Sequence, residues 1–107
     1  MSIPELLPQQ AVALLKTNPA AKLIDVRTDE EYQTAKIKDA ILVNTQEAMD
    51  PILAWPKETP IIVHCHHGFR SMQACGYLQS KGFTNVMNLA GGIDAWSTDV
   101  DPSVPQY

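Results

Sequence analysis

Short apolar runs rich in β-branched residues alternate along the chain with stretches whose apolar side chains recur at helical spacing. The apolar runs predict strands at residues 22–27, 40–44, 61–64 and 85–89, with a short edge strand around residues 2–3. The intervening stretches predict helices at residues 8–16, 28–35, 45–55, 71–81 and 93–96. This rhythm predicts an α/β fold with three α/β/α layers, in which helices cover both faces of a mainly parallel sheet of about five strands.

Two local signals bear on where helices begin. Thr28 and Glu31 have the spacing of a capping box, which predicts the start of the second helix. Pro51 suits the first turn of a helix that begins near Asp50, because a proline there removes no helical hydrogen bond.

Size and charge narrow the class of protein. The 107 residues suit one domain at 1–107, with an extended tail at 98–107 because Pro102 and Pro105 lie there. Eight basic and twelve acidic side chains give a net charge of −4, and the basic ones are scattered, which argues against a nucleic-acid partner.

No apolar run approaches the roughly 18–20 residues of a membrane span, and the N-terminus lacks a signal-peptide pattern. We therefore expect a cytoplasmic protein without a membrane partner.

Cys65 stands where an apolar strand ends and a glycine-containing loop leads into a helix. In parallel sheets, ligands bind beyond the carboxyl ends of the strands. Backbone N–H groups of such a loop point inward and stabilise negative charge, and they lower the pKa of a thiol from about 8.5. Cys65 is therefore predicted to be a nucleophile. The alternative is that Cys65 is an inert, buried apolar residue, as many cysteines are.

The neighbouring side chains receive different interpretations. Cys75 falls on the apolar face of a helix and is predicted to be a core residue. His64 is predicted to be structural, whereas His66 and His67 are predicted to line the mouth of the pocket. No metal site is predicted, because zinc sites use spaced ligand pairs and the chain has no second cluster to complete four ligands. Ser71 either caps the helix or bonds to the sulfur of Cys65.

Residues 65–71, Cys-His-His-Gly-Phe-Arg-Ser, resemble the C-x-x-G-x-R-S active-site loop of single-domain rhodanese-like sulfurtransferases. The segment L-I-D-V-R at 23–27, followed by E-E-Y at 30–32, is similar to a second block of that family. So are G-F-T-N-V at 82–86 and L-A-G-G-I-D-A-W at 89–96. The blocks occur in the family's order, and the resemblance implies its three-layer fold.

The resemblance implies an enzyme of the thiosulfate sulfurtransferase type that works without a cofactor. Such an enzyme moves sulfane sulfur from a donor such as thiosulfate to a nucleophilic acceptor, cyanide or a thiol, through a persulfide on Cys65. Asp25 and Arg27 support the loop in this family. The implied substrate-binding loop consists of His66, His67, Gly68, Phe69, Arg70 and Ser71. A small sulfur-containing anion is the implied substrate, and a thiol protein, a glutaredoxin-like protein or a sulfur-carrier-activating protein is the implied partner.

Two alternatives stay open at the level of sequence. One is a non-catalytic or regulatory rhodanese-like module that binds proteins, although the loop cysteine is present. The other is a small phosphatase or arsenate reductase of the same fold. The active-site loops of those enzymes resemble C-x5-R, whereas the spacing from Cys65 to Arg70 is C-x4-R, one residue shorter. The family's G-H-I-x-G-A segment is replaced by A-K-I-K-D-A at 35–40, and this departure leaves the geometry of that turn open.

Overall fold

The structure, a computed structural model, describes residues 2–107; Met1, where the predicted domain begins, lies outside them. The strands are β1 (Glu5–Leu6), β2 (Lys22–Asp25), β3 (Ile41–Leu42), β4 (Ile61–His64) and β5 (Val86–Leu89). The helices are α1 (Pro8–Thr17), α2 (Asp29–Thr34), α3 (Gln46–Leu53), α4 (Phe69–Ser80) and α5 (Gly92–Asp99). Every helix in the described part of the chain is too short or too polar to cross a membrane.

The strands form one five-stranded sheet in the order β1-β5-β4-β2-β3, and the four pairs of neighbouring strands are parallel. One apolar cluster brings α1 and α5 against the sheet, through residues such as Ala11 and Trp96. A second cluster brings α3 and α4 against it, through Ile52 and Leu78. The predicted α/β fold with helices on both faces of a parallel sheet is confirmed. The central strand β4 consists entirely of buried residues and ends directly before Cys65.

The edge strand lies three residues later than predicted. Glu5 and Leu6 pair with Asn88 and Leu89 of β5, whereas residues 2–3 lie outside the sheet. Pro4 has no N–H group to donate, so the ladder begins with its carbonyl, which accepts from Asn88 N at 2.9 Å.

The placement of Pro51 in a first helical turn is wrong. Helix α3 begins at Gln46, because the Thr45 hydroxyl accepts a hydrogen bond from Ala48 N at 3.1 Å and caps the helix there. Pro51 therefore lies inside the helix. The predicted capping box of α2 is confirmed, since the Thr28 hydroxyl accepts from Glu31 N and the Glu31 carboxylate accepts from Thr28 N.

The predicted extended tail at 98–107 needs two corrections. Helix α5 continues to Asp99, because Pro102 lies beyond the last turn and leaves the helical hydrogen bonds intact. The remaining residues contain a turn, in which Val104 N donates to the Asp101 carbonyl at 3.1 Å, and Val104 is buried in the core. The tail is therefore anchored to the domain.

Candidate active site

The loop after β4 holds the thiol of Cys65 in the interior, where the residue is 1% exposed. Gly68 adopts φ +112°, a conformation that glycine reaches without steric cost, and this turns the chain into α4. The turn aims the backbone N–H of Gly68 at Cys65 Sγ, at 3.1 Å. A strand end, a glycine turn and a helix N-terminus thus converge on one sulfur atom.

The carbonyl groups of the loop point away from the sulfur, because the start of α5 binds them. Ile93 N donates to the Cys65 carbonyl at 2.9 Å, and Asp94 N donates to the His66 carbonyl at 3.2 Å. Gly92, at φ +62°, packs directly against these two carbonyls, where a side chain has no room. The loop can therefore present its N–H groups to the sulfur while its carbonyls are satisfied elsewhere.

These contacts set the charge state of Cys65. Burial raises the pKa of the thiol, but hydrogen bonds from the Ser71 hydroxyl and from the N–H groups of Ser71, Gly68 and Arg70 outweigh that effect. The pKa of Cys65 therefore falls below its ordinary value. A larger fraction of the residue is a thiolate, which is the nucleophilic form.

Ser71 contacts the sulfur and does not cap the helix, since Gly68 precedes the first helical residue. Its Oγ lies 3.4 Å from Cys65 Sγ and donates to Asn88 Oδ1 at 2.5 Å. A hydroxyl carries one proton, so the proton turns to the sulfur when the sulfur becomes a thiolate, the stronger acceptor. Ser71 can thereby follow the charge on Cys65.

Asn88 supports the loop, and the sequence analysis did not identify it. Its side chain is fully buried in β5, where Nδ2 donates to the Gly68 carbonyl at 3.1 Å and to Glu5 Oε2 at 3.3 Å. Its Oδ1 accepts from Ser71. The sequence held one indication of this role, a single amide side chain in an otherwise apolar strand. A buried polar group requires hydrogen-bond partners, so such a residue is expected to contact other polar groups.

Asp25 and Arg27 form a buried, bidentate ion pair at the end of β2. Arg27 Nε and Nη2 donate to the two Asp25 oxygens at 2.9 and 2.7 Å. The other guanidinium N–H groups donate to the carbonyls of Ala35 and Glu31 and to the hydroxyl of Tyr107. All five N–H groups therefore have acceptors, which a fully buried guanidinium needs.

His64 is buried beside this ion pair, with Nε2 3.7 Å from Asp25 Oδ2 and no hydrogen-bond partner for Nε2. Burial lowers its pKa to about 4, although the Asp25 charge acts in the opposite direction. The residue is therefore neutral at physiological pH, in line with its predicted structural role.

Acidification from pH 6.5 to pH 4 is expected to reduce the free energy of unfolding by about 3 kcal/mol through His64 alone. The unfolded chain takes up the proton near pH 6.5, whereas the folded chain resists it until about pH 4. Stability therefore falls as the pH falls between these values. Urea unfolding at several pH values checks this, with the exposed His67→Leu as the control. An equal slope in His64→Leu and the wild type would contradict the assignment.

Arg70, the arginine of the predicted loop, is paired with an acidic side chain that the sequence analysis did not place at the site. Its Nη1 and Nη2 donate to Glu31 Oε1 and Oε2 at 2.6 and 2.9 Å. The Tyr107 hydroxyl also donates to Glu31 Oε2, at 2.6 Å. These bonds, led by those from Arg70, hold the pKa of Glu31 well below its ordinary value.

His66 and His67, which are predicted to line the mouth of the pocket, take part in an aromatic stack. The His66 ring lies between those of His67 and Tyr107, with centroid distances of 3.9 and 4.0 Å. Phe69, the first residue of α4, is 83% exposed. The tail residue Tyr107 thus contacts the loop, and nothing in its local sequence indicated this long-range contact.

His66, His67 and Asp94 place potential ligand atoms within 4.8 Å of one another. A metal ion lies in the plane of each imidazole that binds it, at about 2.0–2.1 Å from the nitrogen. The two rings are stacked with only 24° between their planes, so their lone pairs run side by side rather than converge. The arrangement therefore does not favour a shared ion.

Cys75 lies in the core on α4 and is a free thiol, as is Cys65. Burial raises its pKa to about 12. Cys75 is therefore a neutral thiol at physiological pH, in line with its predicted role as a core residue.

The rhodanese-like domain model matches residues 7–99, which hold the loop, the buried ion pair and Gly92. This chain belongs to the rhodanese-like domain family. It is 33% identical to the thiosulfate sulfurtransferase GlpE of Pseudomonas syringae pv. syringae, over 85% of this chain and 84% of that protein. The prediction of a sulfurtransferase-like, single-domain rhodanese relative is thereby confirmed at the level of the family.

Two further comparisons agree with this rhodanese-like assignment. The chain is 36% identical to an adenylyltransferase and sulfurtransferase, uba4, of Ogataea parapolymorpha, over 91% of this chain but 25% of that protein. It therefore spans about a quarter of that relative. The solved rhodanese-like domain protein of Staphylococcus aureus superposes with a TM-score of 0.77 at 25% identity, covering 98% of this chain and 99% of the other.

Proposed function

We propose that this rhodanese-like chain is a sulfurtransferase that carries sulfane sulfur as a persulfide on Cys65. The observation that carries the proposal is the convergence of N–H and O–H donors on the Cys65 sulfur, with the Gly68 N–H at 3.1 Å. The similarity to proteins named thiosulfate sulfurtransferase supports the same chemistry.

In the first half-reaction, the Cys65 thiolate attacks the outer sulfur of thiosulfate. The sulfur–sulfur bond of thiosulfate breaks, sulfite leaves with the electron pair, and an anionic persulfide remains on Cys65. In the second, cyanide or a thiolate attacks the outer sulfur of that persulfide, and the Cys65 thiolate is released. No general base is needed, because the donors around the sulfur hold the anionic form.

The physiological partners belong to the proposal as well. The similarity to a segment of the uba4 protein supports an acceptor in the class of thiol or sulfur-carrier proteins. The reaction requires Cys65 as a free thiol, which favours a reducing compartment such as the cytoplasm.

Thiocyanate formation from thiosulfate and cyanide is expected to follow ping-pong kinetics, with parallel lines in double-reciprocal plots. Cys65→Ser is expected to abolish turnover, whereas Cys75→Ser, at the other free thiol, is the matched control and retains it. Turnover in Cys65→Ser, or intersecting lines for the wild type, would contradict the two-step route.

A further inference from the structure

The chain has only two arginines, Arg27 and Arg70, and both lie at the candidate site. Each is held by a carboxylate, Arg27 by Asp25 and Arg70 by Glu31. The two pairs sum to zero charge before the Cys65 thiolate is counted. The candidate site therefore lacks the excess positive charge that attracts a small dianion.

Glu31 is fixed in this position by more than the ion pair. Its carboxylate accepts from Arg70, from the Tyr107 hydroxyl at 2.6 Å and from Thr28 N at 3.1 Å. Tyr107 in turn accepts from Arg27 at 2.9 Å, so one hydroxyl joins the two ion pairs. A donor anion that uses the Arg70 fork must displace a carboxylate held by several other bonds.

The electrostatic barrier to attack on a sulfur donor depends on the charge that the donor carries. Attack by the thiolate on thiosulfate gathers three negative charges near Arg70. The pKa of Arg70 is raised by its hydrogen bonds to Glu31 and, to a smaller extent, by the charge of Cys65. Attack on an alkyl persulfide gathers fewer charges, one with the protonated form R–S–SH and two with the anion R–S–S⁻. The protonated form illustrates the transfer. The outer sulfur and its proton pass to Cys65 as the sulfur–sulfur bond of the donor breaks, and R–S⁻ leaves with the electron pair. The exposed ring of Phe69 offers an apolar contact for the R group.

We propose that Glu31 is a specificity-determining residue that neutralises Arg70, so that Cys65 accepts sulfur from weakly charged organic persulfides in preference to dianionic donors such as thiosulfate. This rests on the proposed function and names its class of donor. Glu31 acts through Arg70 and does not touch the reacting sulfur.

The test compares the rates at which Cys65 gains one sulfur atom from thiosulfate and from cysteine persulfide. The reaction is quenched rapidly at successive times, and the intact mass of the protein is measured. Glu31→Gln keeps the capping box, because glutamine serves at the same position, but removes the charge. It is expected to raise the thiosulfate rate constant roughly five- to tenfold and the cysteine persulfide rate constant by about twofold or less. The gain with thiosulfate is expected to shrink as ionic strength rises.

Glu30→Gln is the matched control, since it removes the same charge from the exposed neighbouring position of α2 and is expected to leave the donor ratio unchanged. In an Arg70→Met background, Glu31→Gln is expected to shift the ratio less, because no guanidinium remains there for the donor anion to bind. Equal shifts for both donors, or an equal shift in Glu30→Gln, would overturn the inference. Absence of any sulfur adduct with either donor in the wild type would instead count against the proposed function itself.

Discussion

Replacing Arg27 with Met is expected to lower the free energy of unfolding by about 3–5 kcal/mol. The change leaves Asp25 as an unpaired charge with no exposed side-chain surface, and it removes donors from the Ala35 and Glu31 carbonyls. A buried, unpaired charge lowers stability by more than the intact ion pair raises it, because the protein interior does not solvate the charge. Urea unfolding at neutral pH gives the value directly.

Arg70→Met is the matched control for Arg27→Met. Arg70 also makes a bidentate ion pair, but its side chain is 43% exposed, and water solvates both partners when the pair is broken. Its loss is expected to cost about 0–1 kcal/mol. Equal losses of stability in the two variants would contradict the view that burial makes the Asp25–Arg27 pair the more costly one to break.

Gly92→Ala is expected to destabilise the protein by about 3 kcal/mol and to raise the pKa of Cys65. A Cβ atom at this position would lie 2.5 Å from the Cys65 carbonyl oxygen, and the φ of +62° is unfavourable for alanine. The carbonyl must move, and the loop N–H groups then no longer point at the sulfur, which weakens their hydrogen bonds to the thiolate. Urea unfolding measures the first effect, and the pH dependence of Cys65 alkylation measures the second.

Gly76→Ala tests whether a methyl group by itself has these effects. Gly76 lies inside α4, and an added Cβ would meet nothing within 4 Å. Alanine is expected to stabilise that helix by about 0.5–1 kcal/mol and to leave the Cys65 alkylation profile unchanged. An unaltered Cys65 pKa in Gly92→Ala would show that the close approach of α5 does not organise the loop.

The parallel sheet and the position of Cys65 followed from the sequence because both depend on local pattern. Apolar β-branched runs predict buried strands, and a strand that ends at a glycine-containing loop predicts where a ligand binds. Boundaries differed where caps prevailed over pattern, as when α4 began at Phe69 after the Gly68 cap and not at residue 71. Element ends depend on a few hydrogen bonds, so short apolar patterns locate them poorly.

The supporting contacts of the site were beyond such reasoning, because they join residues far apart in the chain. Tyr107 reaches Glu31 across 76 positions, and Arg70 reaches the same carboxylate across 39. Sequence spacing carries no sign of either contact. Their consequence is chemical as well as structural, since the Arg70 charge that the loop motif implies for anion binding is already balanced by Glu31.

The central claim is that Cys65 carries the transferred sulfur, and intact mass after incubation with a sulfur donor tests it most directly. The wild-type protein is expected to gain the mass of one sulfur atom, cyanide is expected to remove it, and Cys75→Ser is expected to behave in the same way. Cys65→Ser is expected to gain nothing. An adduct that persists in Cys65→Ser, or a wild-type protein that gains no sulfur from either thiosulfate or cysteine persulfide, would contradict the account.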